Sequence, residues 1–190
     1  MASPGSSPRL IQPPTAGRIL LTLVGLTTSL GCYLADWNDT HIYHPLWLPH
    51  AKFHNAQTMS MGLLLGLATL YHVWTPSPVV VNDDNVMTTT TTKATTIKSG
   101  ADQSTTSMST VAVRREAQLA RLRTAVVLGG LYWVTQGSAY FYPGVAAFDE
   151  VPGREGEVQD PLLQAKLEVG MFALLGVGWV LEKRRIMRGE

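Results

Sequence analysis

The run ILLTLVGLTTSLGCYLA at 19–35 is followed, after one polar stretch, by TMSMGLLLGLATLYHVW at 58–74. Each is close to the roughly 17–25 apolar residues that a membrane-spanning helix needs. Two further runs, Thr124–Tyr142 and Leu162–Leu181, have the same character. A soluble four-helix bundle is the alternative, but these runs lack the charged outer face with which an amphipathic helix meets water. The expected fold is therefore all-α: a four-transmembrane-helix bundle. Gly62-x-x-x-Gly66 in the second run, and Gly170, Gly176 and Gly178 in the fourth, supply the small residues that let helices approach closely in lipid.

The rest of the 190 residues divides around those runs. Residues 1–17 are rich in Ser, Pro and Gly and are expected to be a disordered tail. Residues 76–117 include a low-complexity Thr/Ser segment with five consecutive threonines, Thr88 to Thr92, expected to be a disordered loop. Between them, residues 18–75 hold the first two spans, and residues 118–182 hold the second two, leaving a basic tail at 183–190. A net charge of +1 with no basic stripe argues against nucleic acid as a partner. The single cysteine, Cys32, excludes a disulfide framework and a cysteine-rich zinc site.

Charge at the flanks gives an orientation. Arg9 and Arg18 precede the first run, Arg114, Arg115, Arg121 and Arg123 precede the third, and Lys183, Arg184, Arg185 and Arg188 follow the fourth. The other two connections carry only Lys52 and Arg154 against Asp36, Asp39, Asp149, Glu150, Glu155, Glu157 and Asp160. By the positive-inside rule both termini and the Thr-rich loop face the cytosol, and the remaining loops face the lumen or exterior. The expected location is an integral membrane protein of the endoplasmic reticulum. Read differently, the first run is a cleaved signal peptide cut at Ala35, although Tyr33 then occupies a position that favours small residues. Asn38-Asp39-Thr40 forms a glycosylation sequon so near the membrane exit that it is expected to stay unmodified.

The polar residues concentrate toward the luminal end. All five histidines fall between His41 and His72, four of them within ADWNDTHIYHPLWLPHAKFHNAQ at 35–57. Residues four apart share a helix face, which aligns Thr28, Cys32 and Asp36, then His50, His54 and Thr58 with Gln57 adjacent, then Tyr132, Gln136 and Tyr140, and lastly Gln164 and Glu168. Pro49 suits a first-turn position. At a rise of about 1.5 Å per residue, Glu168 and Gln136 lie roughly 9–11 Å inside the luminal boundary. An ionisable residue within a span is by default a candidate functional group, and Asp36, His50, His54 and Glu168 are the expected catalytic set. Trp37, Asn38, Gln57, Gln136 and Tyr140 are the expected substrate-binding set. His50-x-x-x-His54 has two-ligand spacing, but a third ligand would have to be Asp36 or Glu168, so acid–base work is preferred to a metal. His41 and His44 flank aromatic Tyr43 and Trp47, the Pro-rich stretch His44-Pro45-Leu46-Trp47-Leu48-Pro49 reads as a rigid interfacial loop, and His72 reads as structural. Lys166 is expected to snorkel to the luminal surface.

Over Asp36–Gln57 the chain resembles a group of small four-span membrane proteins found largely in filamentous fungi. The shared pattern is Asp36-Trp37-Asn38, Thr40-His41, Pro45-x-Trp47-x-Pro49-His50-Ala51 and Phe53-His54. In that group Asn is commoner before the first proline and Pro after the tryptophan, where this chain has His44 and Leu48. Some members sit among genes for secondary-metabolite pathways, and some carry an acetyltransferase label. No settled activity belongs to the group, so the resemblance implies place and context rather than a reaction.

Taken together, these readings predict an integral-membrane tailoring enzyme acting on a lipophilic polyketide or terpenoid intermediate. Asp36 and Glu168 would serve as general acid and base, His50 and His54 would relay protons, and no cofactor is called for. Isomerisation, cyclisation or epoxide opening needs nothing more. Expected partners are the lipophilic substrate, membrane lipids and other pathway enzymes. The alternatives are a non-catalytic membrane accessory or binding protein, an acyltransferase, and a small transporter subunit.

Overall fold

A computed structural model describes residues 14–76 and 103–189. Among them are four α-helices, α1 (Ala16–Asp36), α2 (Pro49–Trp74), α3 (Gln103–Ser138) and α4 (Leu163–Arg188), with a 3-10 turn at Ala139–Phe141 and no strand. Most of the tail expected over 1–17 and much of the loop expected over 76–117 lie outside the described residues. Several boundaries differ within them: α1 begins at Ala16 inside the expected tail, α3 ends at Ser138 short of Tyr142, and α4 continues to Arg188 through the basic tail expected from 183. Residues 103–117 are helical, because the Ser/Thr-rich segment gives way to VAVRREAQLARLR, a stretch rich in the strong helix formers Ala, Arg, Gln and Leu.

Local chemistry sets the helix ends. Thr15 caps α1, its hydroxyl accepting from Arg18 N at 3.3 Å. Pro49 begins α2 at the position where a missing N–H costs nothing. At the other end Thr75 turns to an extended backbone, ψ 141°, as the residue before Pro76 is driven to do. Gly189 closes α4 with φ 77°, a left-handed cap that glycine adopts without strain.

In the bundle α1 packs against α2 and α4, α3 packs against the same two, and α1 and α3 also touch across the diagonal. Glycines set the closest crossings. A Cβ at Gly66 would stand 2.5 Å from both Gly25 O and Ser29 N, so α1 and α2 meet backbone to backbone. At the α1–α4 crossing a Cβ on Gly17 would stand 2.9 Å from Gly178 O. Gly62, Gly66 and Gly178 thus act as expected, whereas Gly170 and Gly176 face open space and pack against nothing.

The interior sets hydroxyl groups among apolar side chains. Thr28, Ser29 and Thr69 are buried with Leu21, Val24 and Met59. Trp133 Nε1 donates to Thr28 Oγ1 at 3.0 Å across the diagonal, and Trp74 Nε1 donates to Thr22 Oγ1 at 2.9 Å. The outside is apolar: Leu23, Leu30 and Leu34 on α1, Leu64 on α2, Val127 and Val134 on α3, and Val169 and Val177 on α4 are all exposed. Of the helices, α1 and α4 are long and apolar enough to cross a membrane. The histidine-bearing first half of α2 and the basic first half of α3 dilute the apolar character of those two.

Candidate active site beneath the loop cap

At the end where α1 stops and α2 starts, two loops fold over the bundle and bind each other. The loop after α1 is shaped first by Asn38, whose side-chain amide donates to Ala35 O at 2.7 Å and accepts from Thr40 N at 2.8 Å. That Asx turn reverses the chain. In the loop before α4, Val151-Pro152-Gly153-Arg154 makes a β-turn closed by Arg154 N to Val151 O at 2.9 Å. Proline and then glycine at φ 86° suit the two central positions of a type II turn. The turn carries Arg154 to Asp39 at 2.8 Å. Beside this pair, Trp47 Nε1 donates to Asp149 Oδ2 at 2.8 Å, and Nε2 of the buried His44 lies 3.2 Å from Glu150 O. The acidic loop is therefore one half of a cap, with Asp149, Glu150, Glu155 and Glu157 still exposed.

Under the cap is a cavity of about 260 Å³. Its polar lining includes Thr40, His41, Asp149, Gln159 and Gln164, and its walls include Trp47, Tyr140 and Phe148. Tyr140 is held by a hydrogen bond from its hydroxyl to Pro161 O at 3.1 Å. Gln164 Nε2 reaches Ala147 O at 3.4 Å, and Gln159 Oε1 is buried without a hydrogen-bond partner among the described residues. Such a lining, mostly apolar with a few fixed polar groups, suits an organic molecule of modest size.

His41 is the histidine of this cavity. Its Nδ1 lies 2.7 Å from Thr40 Oγ1, and that hydroxyl donates in turn to Asn38 Oδ1 at 2.6 Å. With its one hydrogen committed to Asn38, the hydroxyl accepts from His41, which places a proton on Nδ1. The other ring nitrogen, Nε2, faces Asp36 Oδ1 at 3.7 Å. Asp36 is itself positioned from α2, where Asn55 Nδ2 donates to Oδ2 at 2.9 Å. Asp36, Asn55, His41, Thr40 and Asn38 thus form one chain of polar contacts leading to the cavity.

The expected site residues separate into three groups. Asp36 and Tyr140 belong to the cavity or to the contacts that feed it. Glu168 points inward as expected: it is 8% exposed, its Oε2 would lie 2.7 Å from a Cβ at Gly137, and its Oε1 has no hydrogen-bond partner among the described residues. It lies one helical turn below Gln164, and half-buried Gln136 lies one turn below Tyr140. The third group sits elsewhere. His50 and His54 are exposed, and their Nε2 atoms lie 3.1 Å apart, paired with each other rather than with Asp36 or Glu168. Gln57 is exposed on the outside of α2 as well. Trp37 is 55% exposed and stacks on Tyr33; Asn38, by contrast, joins the contacts that feed the cavity, but only through Thr40, its amide being used up inside its turn.

The displacement of the histidine pair has a simple origin. The buried face of α2 runs through Met59, Gly62, Gly66, Thr69 and Val73, in steps of three and four. Asn55 precedes Met59 by four and extends that face, so His54, one residue earlier, is turned about 100° away. Among the described residues no group of three or more His, Cys, Asp or Glu is placed to hold a metal ion. Lys166 reaches the surface as expected, where it pairs with Asp160 at 2.5 Å and holds that carboxyl below its usual range.

His41, Asn55 and Asp149 were not among the expected site residues. For His41 the only local signal was its position five residues beyond Asp36, past the end of a helix, where helical periodicity gives no direction. Asp149 and Gln159 approach Trp47 and His41 only because the two loops fold together.

The class this fold defines is an all-α protein with two helices able to cross a membrane and a capped cavity at one end of the bundle. The chain belongs to a family of unknown function, DUF6640, which it matches over residues 20–114 and 93–190. No curated protein and no solved structure matches it.

Proposed function

We propose that this protein is a four-span membrane enzyme that rearranges or hydrolyses a lipophilic intermediate by cofactor-free acid–base chemistry beneath its loop cap. Isomerisation, cyclisation and epoxide opening all fit. The observation that carries the reading is the contact between Asp36 and His41 at the wall of a cavity with Trp47, Tyr140 and Phe148 around it. The aromatic walls hold the apolar substrate, and His41 exchanges a proton with it. Asp36 stands 3.7 Å from Nε2, and Thr40 fixes the ring's orientation through Nδ1. Glu168, one turn deeper, supplies a second carboxyl group to a substrate that reaches past Gln164.

The four-span reading rests on the large apolar side chains exposed on all four helices, together with the hydroxyl groups buried within the apolar core. Cytosolic termini rest on the distribution of Arg and Lys, and the endoplasmic reticulum is the membrane proposed. The resemblance over Asp36–Gln57 supports a place among fungal secondary-metabolite enzymes, with a polyketide or terpenoid as substrate.

A second reading draws on one distance. At 3.7 Å the Asp36–His41 contact is longer than a hydrogen bond, as it would be in a protein that binds a lipophilic intermediate without converting it. Two variants separate the readings. In membranes supplied with extracts of a strain lacking the protein, Asp36→Asn and His41→Gln are each expected to lower product formation by about 10²-fold or more. His54→Gln is expected to leave it unchanged. Full conversion by both of the first two variants overturns the enzyme reading, and retained capture of the intermediate by those variants then favours the binding protein.

A further inference from the structure

The histidine pair that the cavity leaves aside has a geometry of its own. His50 and His54 stand on consecutive turns at the start of α2, both exposed, with their Nε2 atoms 3.1 Å apart. Their ring centroids are 4.5 Å apart and the planes cross at 84°. A head-on N–H···N bond, the alignment that hydrogen bonds prefer, would add nearly a ring diameter to the nitrogen separation and set the centroids more than about 5 Å apart. The rings are therefore tilted off the line between the nitrogens, which leaves room beside that line for an atom bound by both.

The separation itself is that of a chelate. Two imidazole nitrogens each about 2.0–2.1 Å from a metal ion stand about 3.3 Å apart in a tetrahedral site and about 2.9 Å apart at a right angle. The observed distance lies between the two. Little has to move to reach it, because the backbone is helical from Pro49 onward. Phe53 stands beside both rings, parallel to His50 at 6.5 Å and edge-on to His54 at 5.6 Å. Lys52, two residues from each histidine, is turned about 160° away from both around the helix. The positive end of the α2 dipole opposes a cation here, but at an exposed site only by a factor of about two to five.

We propose that His50 and His54 bind one divalent ion of the copper, nickel and zinc group through their Nε2 atoms, with water in the remaining positions. Imidazole nitrogen suits these ions, whereas magnesium and calcium take oxygen ligands. The ring that carries its hydrogen on Nε2 passes it to Nδ1 through water, so both rings bind neutral and no proton is lost. Two protein ligands make an open site, unlike the closed four-ligand sites of structural zinc. The ion ties the first turn of α2 to the second, directly after the His44–Pro49 stretch of the cap. This assignment does not depend on the catalytic reading, in which neither histidine takes part.

The test uses the full chain in detergent, purified without a polyhistidine tag. The probes are Zn²⁺ and Cu²⁺, with Mg²⁺ as control. By titration calorimetry one Zn²⁺ per chain is expected, with Kd below about 0.1 mM, and Mg²⁺ is expected not to bind. Cu²⁺ should bind more tightly than Zn²⁺. His50→Gln and His54→Gln are each expected to weaken Zn²⁺ binding at least about tenfold, since the second ligand no longer acts at high effective concentration. Both side chains are exposed, so each variant should keep the Tm of the metal-free wild type. Electron paramagnetic resonance of the Cu²⁺ form should show coupling to two nitrogens in the wild type and to one in either variant. A Kd for Zn²⁺ weaker than about 1 mM overturns the proposal. So does equal Zn²⁺ affinity in the wild type and either variant, because the ion would then be held elsewhere.

Discussion

Asn55 Nδ2 donates to Asp36 Oδ2 at 2.9 Å, fastening the last residue of α1 to the first turns of α2. The bond occupies one carboxylate oxygen and leaves the other, Oδ1, facing His41. Asn55 thereby positions Asp36 without touching the cavity. Asn55→Ala is expected to lower kcat about tenfold, equivalent to about 1.4 kcal/mol of transition-state stabilisation, with KM unchanged. Steady-state kinetics in membranes checks this. Equal loss of activity and of folded protein would mark Asn55 as a packing residue only.

Backbone contact at the α1–α2 crossing leaves no room for a methyl group on Gly66. Gly66→Ala is expected to destabilise the bundle by roughly 1–3 kcal/mol, the range for overpacking. Gly170→Ala should not, since nothing lies within 4 Å of its Cβ position and alanine favours a helix. Reversible unfolding in mixed micelles would show the difference, and equal behaviour of the two variants would contradict the close crossing.

The diagonal is held by one buried hydrogen bond from Trp133 to Thr28. Trp133→Phe keeps the aromatic packing and removes the donor. The expected loss is about 0.5–1.5 kcal/mol, toward the lower end if the surroundings are lipid. Thr28 Oγ1 also donates to Val24 O at 2.9 Å, so its own hydrogen remains satisfied in the variant. A loss well beyond that range would mean that the aromatic packing changes too.

The apolar belt predicts a labelling pattern. Cysteines introduced at Leu30 and Val177, about half exposed at 54% and 52%, should resist a membrane-impermeant maleimide in sealed vesicles. A cysteine at Val158, fully exposed in the cap, should react from the side of the membrane that the cap faces. Native Cys32, 5% exposed, should contribute no background. Rapid labelling at Leu30 and Val177 from water would contradict the spanning arrangement.

The helices were legible in the sequence because their signals are local. Pro49 at a helix start and Gly62-x-x-x-Gly66 at a crossing each depend on neighbours within a few residues, and both appear in the fold, whereas the third run, expected over Thr124–Tyr142, belongs to a helix that begins at Gln103 and ends at Ser138. Glu168 was legible too, since a carboxyl group within an apolar run has few places to go except inward. The His50–His54 pair shows the limit of the same reasoning. Four-residue spacing established that the two share a face, and the structure agrees, but spacing cannot say which face meets the bundle.

What the chain determined by itself is the set of helices, their close-packing glycines and a polar end rich in histidine. Tertiary structure alone decided which histidine meets Asp36. Rotation of α2 was settled by the fit of Met59, Gly62 and Gly66 against α1, and that fit carried Asn55 inward and His54 outward. The cavity likewise exists only because Trp47 and Asp149, 102 residues apart in sequence, are joined by a hydrogen bond. Contacts between distant loops depend on how the whole bundle closes, and no local pattern of residues encodes that.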